Sequence, residues 1–160
     1  MKSALTRALI LVAAVAVLVA VNGSILAKER IKAKGERIYL ELAPVDPRSL
    51  MQGDYMALRF AIASNLSTEA SGSAALRLDE RGVATLDPDP KPNGLRIRYR
   101  LRDGAVWLGT NAYFFEESTA ERYADARFGE FRLDRGSGEA VLIALRDKDL
   151  RPLGGATPAL

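Results

Sequence analysis

The stretch Leu95-Arg96-Ile97-Arg98-Tyr99-Arg100-Leu101-Arg102 alternates apolar and cationic side chains without interruption. Because successive side chains of a strand point to opposite faces, this pattern predicts a β-strand with one face toward a core and an arginine face toward solvent. The dipeptide Asp103-Gly104 that follows is typical of a tight hairpin turn. The stretch therefore predicts a sheet protein.

Further short strand-like runs lie on both sides of this stretch. They cover residues 37–42, 55–62, 75–78, 83–86, 105–108, 111–115, 128–133 and 139–145. Turn residues at 79–82 and 134–138 predict two more hairpins. One short helix is predicted at 117–127, where an acidic start precedes Ala120, Tyr123, Ala124 and Ala126. The fold class is mostly β: a small barrel or sandwich with one short helix, preceded by an N-terminal transmembrane helix.

The transmembrane prediction comes from residues 8–27, which are 20 consecutive uncharged residues between Arg7 and Lys28. About 20 residues at 1.5 Å each span a hydrocarbon core of about 30 Å. This length favours an uncleaved anchor over a signal peptide cleaved near residue 23. We divide the chain into an anchor with a basic juxtamembrane segment (1–34), a β-rich domain (35–153) and a C-terminal tail (154–160).

The flanking charges bear on which side of the membrane the domain lies. Two basic side chains precede the span and five follow it, so the positive-inside rule would keep the domain in the cytoplasm. Glu29 and Glu36 interrupt the second group, and the start of the chain is typical of an export signal. We expect the domain outside the cytoplasm.

Composition excludes several kinds of chemistry. The 160 residues contain no cysteine and no histidine, which excludes disulfides, thiolate nucleophiles, Cys/His zinc sites and imidazole bases. The net charge of +3 divides into +5 for residues 1–37 and −2 for residues 38–160. Because a nucleic-acid-binding domain carries its own positive surplus, we expect no nucleic-acid partner. We assign no catalytic, cofactor-binding or metal-binding residue.

Residues 44–60 form the most distinctive segment, Pro-Val-Asp-Pro-Arg-Ser-Leu-Met-Gln-Gly-Asp-Tyr-Met-Ala-Leu-Arg-Phe. One interpretation is a rigid connector, because prolines fix φ and glycine permits a tight turn. In it, Arg48 would pair with Asp54 or Glu130. The other interpretation is a polar cluster that docks a partner or ligand. Its candidate residues are Asp46, Pro47, Arg48, Gly53, Asp54, Tyr55 and Glu130.

Together with residues 25–29, 126–134 and 145–147, this segment resembles the GDYXXLXY family, a group of bacterial membrane-anchored proteins. The resemblance covers about residues 25–153 and implies an N-terminal anchor and a β-rich domain. We expect a single-pass protein of the bacterial inner (cytoplasmic) membrane with a periplasmic domain. The final aromatic of the motif is Phe60 here, where the family has tyrosine.

The arginine face of the opening stretch is a second candidate surface, for anions or a partner. It consists of Arg96, Arg98, Arg100 and Arg102. Four guanidiniums could grip phosphates, lipid headgroups or carboxylates. The alternative is a solvated face balanced across strands by Asp79, Glu80 or Glu139.

The aromatic residues Trp107, Tyr113, Phe114 and Phe115 are expected in the core rather than in a sugar-binding platform. The expected function is a membrane-tethered, non-enzymatic interaction or accessory module. Its expected partners are the lipid bilayer, through residues 8–27, and an integral-membrane protein. The alternative is a carboxylate-dependent, carbohydrate-acting hydrolase at the cell envelope, which two suitably spaced carboxylates in a cleft would favour.

Overall fold

The computed structural model describes residues 2–43, 51–52, 55–66 and 70–154. Five of the seven candidate docking residues lie outside these ranges, as does the tail beyond Gly154. The five are Asp46, Pro47, Arg48, Gly53 and Asp54.

Helix α1 (Lys2–Lys34) runs without a break through the apolar segment and into the basic segment that follows it. Its portion Thr6–Lys34 is long and apolar enough to cross a membrane, and none of its most apolar stretch is buried against the rest of the chain. Only the last turns touch the domain, where Ile31 is buried. Gly35 alone separates α1 from the first strand.

The described part of the domain contains ten strands. They are β1 (Glu36–Glu41), β2 (Met51–Gln52), β3 (Tyr55–Ala57), β4 (Gly72–Leu78), β5 (Ala84–Leu86), β6 (Leu95–Arg102), β7 (Ala105–Trp107), β8 (Ala112–Phe114), β9 (Phe128–Leu133) and β10 (Ala140–Arg146). They pair in three antiparallel sheets, with strand orders β1-β9-β10, β2-β3-β8 and β5-β4-β6-β7.

The two larger sheets curl toward each other and meet at two places. On one side the Tyr39 amide donates to the Gly82 carbonyl at 3.0 Å, beside a parallel bridge between Tyr39 and Val83. On the other side the Arg98 amide donates to the Gly138 carbonyl at 2.7 Å. The result is a curled half-barrel, which confirms a mostly-β fold with one long N-terminal helix.

The core lies inside this curl and follows the predicted alternation. Its most deeply buried side chains are Ile38, Leu40, Met56, Leu58, Ile97, Leu108, Phe131, Leu133 and Leu145. In β6, Leu95, Ile97 and Tyr99 are buried while the arginine face is exposed. The periodicity of the opening stretch therefore positions the arginines on the outer surface of the half-barrel.

Two predicted elements differ from the structure. The helix predicted at 117–127 is wrong: a four-residue 3₁₀ helix, Ala120–Tyr123, stands there. Ser118 has φ +64°, a left-handed conformation that an α-helix cannot include. Tyr123 and Ala126 are nevertheless buried, so the apolar pattern reflected packing and not a regular helix.

The strand predicted at 55–62 ends at Ala57, and a 3₁₀ helix covers Ala61–Asn65. The alternate apolar residues of this run are nonetheless all buried: Met56, Leu58, Phe60 and Ile62. Alternate side chains are thus buried here although strand pairing does not continue past Ala57.

Candidate functional site

The described part of the family motif divides into an exposed half and a buried half. Tyr55 in β3 lies opposite Phe114 in β8, with ring centroids 5.7 Å apart. The Phe114 side chain is 74% exposed, and outside α1 it is the sole exposed large apolar residue in the described chain. The expectation that Phe114 belongs to the core is therefore wrong. The strand β8 presents it outward.

The other aromatic residues of that group are half-buried. Tyr113 and Phe115 pack against the buried ring of Tyr123, at centroid distances of 5.2 and 5.3 Å. Trp107 is also half-buried and lies under the guanidinium of Arg102, 5.3 Å from its ring centroid. Phe114 thus differs from these neighbours in its exposure, and its ring contact among the described residues is with Tyr55.

The buried half of the motif consists of Leu58 and Phe60, which are 1% and 3% exposed. Phe60 meets Phe131 edge-on at a centroid distance of 5.3 Å. Gly129 leaves room for this pair, since a Cβ there would lie 2.9 Å from the Phe131 ring and 3.1 Å from the Phe60 ring. Core packing accounts for the ring of Phe60 without a hydroxyl.

Glu130, a candidate docking residue, is buried at 3% exposure within β9. Its carboxylate accepts a hydrogen bond from Arg146 Nε at 2.7 Å and a second from the same guanidinium. Arg146 also donates to the Leu150 carbonyl at 3.2 Å. Glu130 is therefore held inside the sheet by Arg146 of β10. Arg48, its predicted partner, lies outside the described residues.

Three residues of the arginine face line a cleft of about 160 Å³ at the end of α1. Its walls are Lys28, Arg98, Arg100, Arg102, Trp107, Gly109, Glu139 and Ala140. Four cationic side chains thus face a single carboxylate. We call this cavity the basic cleft. Arg96, the fourth member of the arginine face, turns aside and donates to the hydroxyl and carbonyl oxygens of Ser73, both at 3.2 Å.

Of the three carboxylates predicted to balance the arginine face, one, Glu139, lies beside it. Glu139 contacts Lys28 and lies 3.8 Å from Arg98. Balance by Asp79 or Glu80 is wrong, because β6 begins at Leu95 opposite Leu76 and both acids extend beyond that end. Asp79 instead accepts the amide hydrogen bonds of its own turn.

The cross-strand neighbours of the arginine face are uncharged. Arg98 lies opposite Ser73 in β4, and Arg100 and Arg102 lie opposite Trp107 and Ala105 in β7. Within the described residues, no hydrogen bond or ion pair reaches the side chain of Arg100 or Arg102. The cleft therefore holds positive charge that the described fold does not neutralise. Sequence reasoning missed Lys28 as a member, because it lies 111 residues from Glu139.

Two further features bear on chemistry. The Ser137 hydroxyl and amide donate to Asp134 at 2.7 and 2.8 Å, and these bonds hold the pKa of this carboxyl below its usual 3.8. This shift comes from capping the β9–β10 turn. Among the described residues no three His, Cys, Asp or Glu side chains are grouped as a metal site would require.

The comparison with protein families agrees with the motif, whereas the two other comparisons found nothing. No curated protein and no solved structure matches the chain. The family model for GDYXXLXY protein matches residues 17–145, which include the last turns of the apolar segment and nearly the whole domain. The chain belongs to the GDYXXLXY family.

Proposed function

We propose that this protein is a membrane-tethered, non-enzymatic interaction module that serves as an accessory subunit of an integral-membrane protein. The observation that carries the proposal is the exposed ring of Phe114 beside Tyr55 on the strand that names the family. Tethering by α1 and the absence of histidine and cysteine from the sequence support it.

The aromatic pair supports partner binding because folding does not account for it. Leu58 and Phe60 of the same motif are buried in the core, whereas the ring of Phe114 is exposed to solvent. Burying a phenylalanine side chain is worth about 1.5–3 kcal/mol relative to exposing it. Aromatic side chains are also enriched where interfaces concentrate their binding energy. The pair formed by Tyr55 and Phe114 is therefore the contact surface we assign to the partner.

The proposed tether is residues 8–27 of α1 in the inner (cytoplasmic) membrane, with the domain on the periplasmic side. Lys28 and the charges after it would then lie among headgroups. A C-terminal reporter active only in the periplasm tests the side. Activity supports the assignment, and a stably expressed but silent fusion contradicts it.

The alternative, a carboxylate-dependent hydrolase, has less support from the clefts. Glycosidases need two carboxyl groups roughly 5–10 Å apart across a cleft. In the described chain, Glu139 alone brings a carboxylate to the basic cleft, and Lys28 and Arg98 already contact it. The adjoining open groove is lined by serines, Gly72, Tyr99 and two of the arginines.

Site-specific photocrosslinking of the full chain in intact cells tests the partner. A photoreactive phenylalanine at Phe114 should give an adduct with an integral-membrane protein. The same group at Thr85, which is exposed on β5, is the matched control and should not. Adducts from both positions alike, or recovery of a lone monomer from both, would contradict the proposal.

A further inference from the structure

We infer that the basic cleft binds the phosphate of an anionic phospholipid headgroup. This inference rests on the membrane tether of the proposed function but not on the partner. It concerns a different surface from Tyr55 and Phe114, and it follows from where α1 delivers Lys28 and from the charges that surround it.

The depth of the cleft follows from the helix. Residues 8–27 fill about 30 Å of hydrocarbon, so Lys28, the first charged residue after the apolar run, reaches headgroup level. Lys28 is itself part of the cleft wall and contacts Glu139. The end of α1 is fixed there, because Ile31 is buried and Arg132 donates to the Gly35 carbonyl at 3.4 Å. The cleft therefore opens at the height of lipid phosphates.

The charge of the cleft selects an anion. Four cationic side chains and one carboxylate line the cleft, and the cross-strand partners of Arg98, Arg100 and Arg102 are uncharged. The side chains of Lys28 and Arg98 remain 50% and 46% exposed, so they keep hydrogen-bond donors for a ligand. Guanidinium groups bind phosphate oxygens in a bidentate geometry. A phosphate would neutralise charge that the described fold leaves uncompensated.

The walls of the cleft fit a lipid better than a free ion. Trp107 contributes an aromatic surface, and tryptophan is enriched at membrane–water interfaces. The Arg102 guanidinium is held over that ring at 5.3 Å, so a donor is placed beside an apolar wall. A cleft of about 160 Å³ exceeds what a bare phosphate would fill and leaves space for the glycerol beside it.

The test uses the full chain in nanodiscs of phosphatidylcholine alone or with phosphatidylglycerol. Lipids retained by the protein are counted by native mass spectrometry. In a parallel arm, inorganic phosphate is titrated while the fluorescence of Trp107 is recorded, since this is the single tryptophan of the chain. The variants are Arg98→Gln with Arg100→Gln, and Arg77→Gln as the control. Arg77 is exposed on β4 of the same sheet and lies outside the cleft.

We expect wild type and Arg77→Gln to retain phosphatidylglycerol in preference to phosphatidylcholine. Each cleft arginine removed should weaken that preference about fivefold, since a basic residue near an anionic surface contributes about 1 kcal/mol. Equal retention of both lipids by wild type would overturn the inference. So would equal losses in the cleft variant and the control, or a Trp107 response to inorganic phosphate without lipid preference. Failure of the full chain to enter nanodiscs would instead refute the tether.

Discussion

Two glutamates of the same β-hairpin, Glu130 and Glu139, are placed in opposite circumstances. Glu130 lies within β9 with its side chain 4% exposed, and within the described ranges its cation is Arg146 on β10. Glu139 stands just before β10 with its side chain 26% exposed, and it is shared by Lys28 and Arg98. The ion pair of Glu130 with Arg146 lies inside the sheet. The ion pairs of Glu139 with Lys28 and Arg98 join three separate parts of the chain.

The difference teaches which charges maintain the fold and which are available for function. A buried ion pair is costly to break, because the remaining charge stays in a medium that cannot solvate it. A half-exposed cluster keeps water within reach, so losing one member costs little. Glu130 therefore belongs to the architecture of the hairpin, whereas Glu139 belongs to a site whose partners can change.

The largest expected effect comes from Glu130→Ala, which leaves the Arg146 guanidinium without its carboxylate partner. We expect the free energy of unfolding to fall by about 3–5 kcal/mol. Urea denaturation of the full chain in detergent, followed by Trp107 fluorescence, measures it. Replacing both partners, with Glu130→Leu and Arg146→Met, should restore most of the stability. A single variant as stable as wild type would refute the structural role of Glu130.

Gly109→Ala tests the close contact between the segment after β7 and the start of β10, at the wall of the basic cleft. Gly109 has φ +77°, and a Cβ there would lie 2.5 Å from the Ala140 carbonyl oxygen. Gly104→Ala is the matched control, since φ is +73° and no atom lies within 4 Å of its Cβ position. The left-handed backbone should cost both variants about 1–2 kcal/mol. Gly109→Ala should unfold at clearly lower urea, and equal midpoints would contradict the contact.

Glu139→Ala should change the free energy of unfolding by no more than about 1 kcal/mol, because its ion pairs are partly exposed. The same denaturation experiment, repeated at low and high salt, measures the change. The difference between variant and wild type should shrink as salt rises. A loss as large as that of Glu130→Ala would erase the distinction between the two glutamates.

The smallest effect is expected at Asp134, in the turn between the two glutamates. Because the Ser137 hydroxyl lowers the pKa of Asp134, the ionised carboxylate adds stability. That stability is complete above the unfolded value of 3.8 and is lost as pH falls through the lower folded-state pKa. Ser137→Ala should move the pKa of Asp134 up toward 3.8, as followed by carbon NMR titration of the carboxyl group. An unchanged titration curve would show that the hydroxyl is not the cause.

Much of the sheet could be predicted because local alternation reports burial directly. The bounds predicted for β6 and β9 match the observed Leu95–Arg102 and Phe128–Leu133. Asp103 and Gly104 have the positive φ values that their turn chemistry required. These features depend on residues close together in the chain, so the sequence contains enough information to place them.

The site could be predicted only in part, because its members meet through tertiary structure. The arginine face followed from periodicity, but its partner Lys28 depends on how the end of α1 docks against β9 and β10. The exposure of Phe114 was also beyond sequence reasoning, since three consecutive aromatic residues do not reveal which ring faces outward. Nor does a lone buried glutamate reveal which of the chain's many arginines will pair with it.

The junction between α1 and β1 has a mechanical consequence. Gly35 is its whole length, and the Gly35 amide still donates to the Ile31 carbonyl at 2.7 Å, so the tether has no slack. The seven residues 28–34 span about 10 Å at 1.5 Å each, and the domain packs along them as far as Lys28, which contacts Glu139. In the proposed topology, a partner would offer its contact surface close to the bilayer. Any tilt of α1, caused by a partner or by a change in bilayer thickness, would tilt the half-barrel together with the helix.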